Sequence, residues 1–164
     1  MTGLDCPACG PAPLDVFHSQ SGVPVNSCLL VDTQAEAERF PRGELRLGFC
    51  RACGFIANTA FDPAKAEYSQ RYEETQGFSA HFRAFASDLA QRWIDRYDIH
   101  GRDVLEIGCG KGEFLALMCE QGGNRGVGID PSAVPGRLVS RAADRIRLIP
   151  EVYDERWVDV PADV

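Results

Sequence analysis

A glycine-rich segment, Glu106-Ile107-Gly108-Cys109-Gly110-Lys111-Gly112, has the residue types of a backbone loop that lets a ligand approach closely. Its three glycines permit a tight turn with unusual backbone dihedral angles. An apolar stretch that reads as a strand precedes the segment and a helical pattern follows it. The N-terminus of such a helix presents free N–H groups and a positive dipole end to an anionic group. The segment therefore predicts a ligand-binding turn between a strand and a helix.

Asp130 supplies the carboxylate that such a turn requires about 20 residues further along the chain. It ends the next apolar stretch, Gly126 to Asp130, and strand-end acids at this position bind the two hydroxyls of a ribose. A dinucleotide-binding domain uses the same device, but its glycines usually follow the pattern Gly-x-Gly-x-x-Gly. Here they follow Gly-x-Gly-x-Gly, with an acid two residues before the first glycine. The two flanking acids favour a ligand site over a turn that merely packs the helix on the strand.

The same pattern resembles motif I of the class I methyltransferases that use S-adenosylmethionine (SAM). The resemblance implies that Glu106 helps to hold the methionine end of SAM and that Asp130 binds its ribose. It further implies that the remaining cofactor contacts come from Gly108, Gly110, Gly112, Ile129 beside the adenine and Tyr153 at the adenine amino group. Cys109 stands where relatives carry a small residue, so we expect no catalytic thiol there. Cys119, on the apolar face of its helix, is expected to be a packing residue.

Four cysteines in two near-identical turns have metal-binding spacing. Cys6 and Cys9, then Cys50 and Cys53, each form Cys-x-x-Cys-Gly, and two such turns can supply the four sulfurs of a tetrahedral zinc site. Four sulfur ligands leave no position for a substrate, so the predicted zinc is structural. The long gap between the pairs exceeds that of a usual zinc ribbon and allows an inserted hairpin. Two redox or free-cysteine pairs are the alternative, and Cys28 and His18 are spare donors.

The combination of a four-cysteine region, a Tyr-containing linker and motif I resembles the zinc-containing sugar C-methyltransferases. That family methylates a ring carbon of a nucleotide-linked deoxy-ketosugar, which implies a small-molecule substrate of this kind. The resemblance places Tyr68, Tyr72 and His81 on the substrate side. Each of the three is also compatible with packing or with exposure to solvent.

The elements that would position these residues follow from hydrophobic periodicity. Residues 1–60 read as a four-cysteine zinc-binding β domain, 61–100 as a linker with an amphipathic helix of roughly 18 residues after Phe78, and 101–164 as a truncated SAM-binding domain. The last segment predicts a strand over Asp103 to Ile107, a helix over Gly112 to Gln121, a strand over Gly126 to Asp130, a helix over Ser132 to Ala143 and a strand over Arg145 to Ile149. The fold class is α/β: the N-terminal half of a Rossmann-like class I methyltransferase sheet preceded by a small zinc-binding β domain.

A class I methyltransferase sheet has seven strands, whereas three are predicted here, with Ala162 to Val164 opening a fourth beside the first. The catalytic residues of the resembled family follow the fourth strand, so the catalytic base is expected in an absent C-terminal half. We therefore expect the chain to be a fragment of its parent enzyme, inactive alone and weak in cofactor affinity.

The amino-acid composition argues against some classes of binding partner. A formal net charge of −7 and an isoelectric point near 4.9 argue against a broad nucleic-acid surface, which needs clustered Lys and Arg. No apolar run approaches the ~20 residues that span a bilayer, and the first residues lack the features of a secretory signal. With seven cysteines and no export signal, we expect a cytoplasmic metal-binding protein without membrane partners. Two alternatives stay open: an RNA base methyltransferase with an N-terminal zinc domain, and an inactive zinc-binding interaction module.

Overall fold

A computed structural model describes residues 4–65 and 70–164, which form two compact units, Met1–Glu67 and Tyr68–Val164. The amphipathic helix, which the sequence analysis placed in a connecting segment, is part of the second unit and packs there on the helix after the glycine loop. Among the described residues, no helix has the length and apolar character needed to cross a membrane.

The first unit is an antiparallel sheet of four strands in the order β1-β2-β3-β4: Asp5–Cys6, Gly10–Pro24, Arg42–Cys50 and Ile56–Asn58. Strands β2 and β3 form a long hairpin, and their connection carries the short helix α1, Gln34–Arg39. This hairpin accounts for the long gap between the two cysteine pairs. Among the described residues of this unit, the buried core consists of Cys6, Leu14 and Cys50. A core of this size buries little apolar surface for a separate folding unit.

The second unit is an α/β structure with a parallel sheet in the order β5-β6-β7: Asp103–Ile107, Arg125–Ile129 and Ile146–Ile149. Two helices complete it, α2 (Ala80–Tyr97) and α3 (Glu113–Gly122). Their ends lie within two residues of those predicted from the sequence. The apolar residues of α2 and α3 meet in one core beneath the sheet, formed by Ala90, Ile94, Ile99, Val104, Leu115, Met118, Cys119 and Ala142. The predicted alternation of strand and helix is present from β5 through α3 to β6, and the three parallel strands form a Rossmann-like sheet, but β7 follows β6 without the expected helix.

The helix predicted over Ser132 to Ala143 is wrong. Turns occupy most of this stretch, and a single turn of 3-10 helix, Ala143–Arg145, leads into β7. Pro135 has no N–H to donate, and Gly136 adopts a φ of +85°, which no right-handed helix contains. The segment is instead anchored by Ala133 and Ala142, which are fully buried, and by Glu120, whose carboxylate accepts hydrogen bonds from Ser140.

The final residues run beside β5, on the edge that β6 leaves open. The Leu105 N–H donates to the carbonyl of Val164 at 2.9 Å, and the Asp163 N–H donates to the carbonyl of Asp103 at 2.7 Å. No strand is assigned there, but the hydrogen bonds lie where the sequence analysis expected a fourth strand next to the first.

Candidate functional site

The glycine loop joins β5 to α3 through three residues with left-handed backbone. Gly108, Gly110 and Gly112 have φ values of +78°, +54° and +81°, and Gly112 is the N-cap of α3. At Gly110 a Cβ atom would lie 2.2 Å from the Glu74 Oε1, and at Gly112 it would lie 2.9 Å from a Leu148 methyl carbon. Gly110 and Gly112 are therefore required for two reasons: their backbone is left-handed, and a neighbouring side chain lies where a Cβ would be.

Asp130 follows β6 and fixes the loop from the neighbouring strand. Its Oδ2 accepts a hydrogen bond from the Gly110 N–H at 3.0 Å, and its Oδ1 accepts one from the Ser132 N–H at 2.7 Å. Parallel strands end at the same edge of a sheet, so the ends of β5 and β6 bring the two motifs together although they are 20 residues apart in the chain. A carboxylate accepts about four hydrogen bonds, so Asp130 keeps capacity for further donors.

Glu106 lies deeper than Asp130, near the first turn of α3. Burial raises the pKa of its carboxyl group to about 7, a hydrogen bond from the Leu115 backbone opposes the increase, and the charge of Asp130 adds to it. Its Oε2 is buried without a hydrogen-bond partner. The predicted contact of Glu106 with the methionine end of SAM stays a prediction.

A cleft of about 910 Å³ opens over the loop within the second unit. Gly108, Gly110 and Asp130 line one end of it, and side chains of α2 and α3 line the other, with Phe82 and Leu117 among them. This volume falls in the range typical of small-molecule sites.

Of the other described residues that the sequence predicted for the site, some line the cleft and others do not. Tyr72 lines it, whereas His81 is exposed on α2 and is not among the described lining residues. Ile129 is only 1% exposed and Tyr153 is not among the described lining residues, so their adenine contacts stay predictions. Tyr68 lies outside the described residues.

Residues 70–77, which we call the strap, cross the glycine loop. The sequence analysis placed Tyr72 of this segment on the substrate side but missed the contacts that Glu74 and Gln70 make with the loop. The Lys111 N–H donates to Glu74 Oε1 at 3.1 Å, and Lys111 Nζ donates to the carbonyls of Ser132 at 2.6 Å and Gln70 at 3.3 Å. Lys111 is only 5% exposed. The strap has no helical or strand periodicity, so the sequence gave no indication that its polar residues contact the loop. The lysine within the glycine loop is the feature from which such a contact could have been predicted.

The two cysteines near the loop are buried packing residues. Burial raises the pKa of the Cys109 thiol to about 12, with further increases from the charges of Glu106 and Asp130. Burial likewise raises the pKa of Cys119 to about 11, and its side chain is fully enclosed. A thiol that stays protonated is a poor nucleophile, so neither residue has the properties of a catalytic cysteine.

The four predicted cysteine ligands cluster in the first unit. The sulfurs of Cys6, Cys9, Cys50 and Cys53 all lie within 4.8 Å of one another, with 3.7 Å between Cys6 and Cys53 and 3.6 Å between Cys9 and Cys50. These separations are too long for disulfides, whose sulfurs are ~2.05 Å apart. A regular tetrahedron with Zn–S bonds of ~2.3 Å places its sulfurs ~3.8 Å apart. The cluster therefore has the dimensions of a four-sulfur metal site, and neither Cys28 nor His18 belongs to it.

The environment shifts the pKa values of two thiols of the cluster in opposite directions. Burial favours the protonated Cys6 thiol, but hydrogen bonds from the backbone N–H groups of Ala8 and Cys9 outweigh it and hold the Cys6 pKa below its usual value. Hydrogen bonding to Cys53, and then to the other sulfurs, raises the pKa of Cys9 to about 12. The sulfurs thus compete for protons, a repulsion that a bound divalent cation would relieve.

Comparison with known proteins identifies the second unit. A family model described as a methyltransferase domain matches residues 78–163, which is more than half of the chain. The chain belongs to this methyltransferase-domain family. Membership favours the methyltransferase interpretation of the glycine loop over a dinucleotide-binding one, and it implies SAM as the methyl donor.

Curated relatives agree with this assignment. The chain is 30% identical over 82 residues to the ribosomal protein L11 methyltransferase of Actinobacillus succinogenes and 34% identical over 85 residues to that of Haemophilus influenzae. Each match covers 46% of this chain and 27% of the relative. The chain thus spans about a quarter of the length of the curated relatives that it matches.

The residues of the methyltransferase-domain cleft fit SAM. The Gly108 backbone is open, since a Cβ added there would meet nothing within 4 Å, which leaves room for a ligand against the loop. Asp130 retains acceptor capacity for ribose hydroxyls, and Glu74 Oε2 is buried with no hydrogen-bond partner. A cationic, hydroxyl-bearing ligand matches these groups.

Proposed function

We propose that the second unit binds SAM and forms the cofactor-binding part of a methyltransferase. The observation that supports this most directly is the pairing of Asp130 with the Gly110 N–H at the wall of an open cleft. Two further lone-pair positions on this carboxylate would accept the two ribose hydroxyls. The glycine loop would lie along the rest of the cofactor because it offers backbone without side chains.

When bound, SAM supplies a methyl group on a positively charged sulfur, which a nucleophile attacks in line. The chain contributes orientation: holding the ribose fixes the direction of the sulfur–methyl bond. Buried carboxylates around the loop would stabilise the cationic end of the cofactor. The catalytic base is not assigned, and the inactivity of this chain by itself stays a prediction.

Isothermal titration with S-adenosylhomocysteine (SAH), the demethylated product, tests cofactor binding directly and requires no acceptor. Asp130→Ala should weaken SAH binding at least about tenfold, because hydrogen bonds to a charged group are worth about 1.5–3 kcal/mol. Asp159→Ala, an exposed acid outside the cleft, is the matched control and should leave the affinity unchanged. Absence of SAH binding to the unaltered protein at millimolar concentration would reject the proposal.

For the acceptor, we propose a ring carbon of a nucleotide-linked deoxysugar or a similar small metabolite. Support comes from the sequence layout, in which a four-cysteine region and a Tyr-containing linker precede motif I. Tyr72 and Phe78 are aromatic residues in the lining of the cleft, where a sugar would contact them.

A protein acceptor is the second candidate, since the curated relatives are ribosomal protein L11 methyltransferases. Each match covers only 27% of the relative, so the likeness does not extend over most of those enzymes. An RNA base is disfavoured by the net charge of −7. Incubation of methyl-labelled SAM with a nucleotide-linked ketosugar and with ribosomal protein L11 separates the candidates: label on a sugar carbon supports the first, and label on the protein supports the second.

We further propose that Cys6, Cys9, Cys50 and Cys53 hold one structural Zn²⁺. The sulfur separations support this, as does the small core of the first unit, which a metal would stabilise. Mass spectrometry should find about one zinc per chain. Cys50→Ser should lower this ratio, whereas Cys28→Ser, outside the cluster, should keep it. Purified protein with no zinc, unable to take it up after reduction, would contradict the site.

A further inference from the structure

The strap brings a carboxylate to the glycine loop that nothing in motif I anticipates. Glu74 Oε1 accepts a hydrogen bond from the Lys111 N–H at 3.1 Å, and the side chain lies against Gly110, where a Cβ would come within 2.2 Å of that oxygen. Its other oxygen, Oε2, is buried and has no hydrogen-bond partner. A buried carboxylate oxygen without a partner is costly unless a ligand satisfies it.

The ammonium group of Lys111, whose backbone N–H contacts Glu74, is engaged elsewhere. Lys111 Nζ donates to the carbonyls of Ser132 and Gln70, so the lysine ties the strap to the segment after β6. Its ammonium contacts carbonyl oxygens in place of the Glu74 carboxylate.

The electrostatic surroundings of the loop point to a cationic ligand group. The buried thiol of Cys109, in the middle of the loop, experiences the negative charges of Glu106, Asp130 and Glu74 together. Asp130 already accepts two backbone hydrogen bonds, and Glu106 is not among the described lining residues of the cleft. Glu74 also lines the cleft, and among the described carboxylates of that lining its Oε2 is the buried oxygen that has no hydrogen-bond partner.

The position of Glu74 is fixed from both sides along the strap. Glu73 forms an ion pair with Arg137 at 2.7 Å, and Thr75 donates a hydrogen bond to the Glu113 carboxylate in the first turn of α3. Neighbouring contacts therefore hold the Glu74 carboxyl group over Gly110 before any ligand binds, which reduces the entropy lost on binding.

We propose that Glu74 is the receptor for the α-ammonium group of the methionine end of the cofactor. This rests on the proposed function, because it assigns one end of SAM within the same cleft. Glu74 would then be a residue that positions the cofactor: one carboxylate oxygen anchors it to the loop and the other binds the ammonium. The strap thereby distinguishes ligands that carry an amino-acid end from nucleosides that do not.

Two ligands separate this role from general damage to the cleft. SAH carries the ammonium group, whereas 5′-methylthioadenosine (MTA) keeps the adenosine and sulfur but lacks the amino acid. By titration calorimetry, Glu74→Gln should weaken SAH at least about tenfold, the loss expected for one charged hydrogen bond, and change MTA affinity less than about twofold. Asp130→Ala should weaken both ligands.

Glu73→Gln is the matched control on the strap. It removes the ion pair with Arg137 and leaves Glu74 in place, so SAH should lose much less affinity than it does in Glu74→Gln. Equal losses of SAH affinity in both variants would mean that binding requires only that the strap stays in place over the loop and not the Glu74 carboxylate itself. This result would overturn the proposal.

Two other outcomes are decisive. Unchanged or tighter SAH binding by Glu74→Gln would overturn the role of Glu74, tighter binding indicating that its carboxylate blocks the site. Failure of the unaltered protein to bind either SAH or MTA would instead reject the proposed function itself. Circular dichroism of each variant checks that a loss of affinity does not reflect unfolding.

Discussion

The buried carboxyl group of Glu106 should make the stability of the second unit depend on pH. Its pKa is about 7 in the folded chain, compared with an ordinary value of 4.5. Because the folded state favours the protonated form, the stabilisation is complete below pH 4.5 and is lost as the pH rises through 7. The difference in pKa corresponds to about 3.4 kcal/mol when fully developed. Between pH 5 and pH 8 the change amounts to about 2.5 kcal/mol.

Glu106→Gln keeps the size of the side chain and removes its charge. We expect the stability of the variant relative to the unaltered protein to increase by about 2.5 kcal/mol from pH 5 to pH 8. Urea unfolding followed by tryptophan emission measures this in the second unit alone, since Trp93 and Trp157, the two tryptophans of the chain, both lie there.

Glu155→Gln, a change at an exposed position, is the control and should show a constant difference across the same pH range. If the stabilities of Glu106→Gln and the unaltered protein follow parallel curves from pH 5 to pH 8, the carboxyl group titrates normally and the reasoning fails.

Three further predictions concern packing around the loop. Gly128→Ala should destabilise the second unit by about 1–3 kcal/mol in urea unfolding, because the new Cβ would lie 2.6 Å from the Cys109 sulfur, and adding Cys109→Ala should restore part of the loss. Asn124→Ala should cost about 3 kcal/mol, since the fully buried amide donates to the carbonyls of Ile99 and Met118; a loss below 1 kcal/mol would contradict this. Lys111→Met should increase proteolytic cleavage of the strap, because it removes the ammonium that ties the Gln70 carbonyl of the strap to the Ser132 carbonyl after β6, while Lys65→Met, on the exposed 3-10 turn of the first unit, should not.

Much of the architecture was predictable from local pattern. The spacing of apolar residues in α2 and the short apolar stretches of β5, β6 and β7 depend on periodicities that a sequence displays directly. Likewise, the repeated Cys-x-x-Cys-Gly turns and the glycines before α3 act through local backbone geometry. The sequence by itself therefore determined the methyltransferase domain and the candidate ligand groups.

The helix predicted over Ser132 to Ala143 shows where local pattern is insufficient. Ala133 and Ala142 are fully buried whereas Val139 is 98% exposed. Pro135 and Gly136 prevent the regular hydrogen bonds of a helix. The tertiary contacts of Ala133 and Ala142 hold an irregular segment in place. Burial of a residue is compatible with several backbone conformations. Only the packing against α3 and β7 decided which one forms.

The strap over the glycine loop was decided by tertiary structure alone. Glu74 and Lys111 are 37 residues apart in the chain, and no periodicity links them. Their contact depends on hydrogen bonds that turns and loop backbone make only after the sheet and α3 have assembled. The sequence determined that a cofactor-type loop exists, because that requires glycines at fixed spacing. The tertiary structure decided which carboxylates surround it, because long-range contacts leave no regular trace in a single sequence.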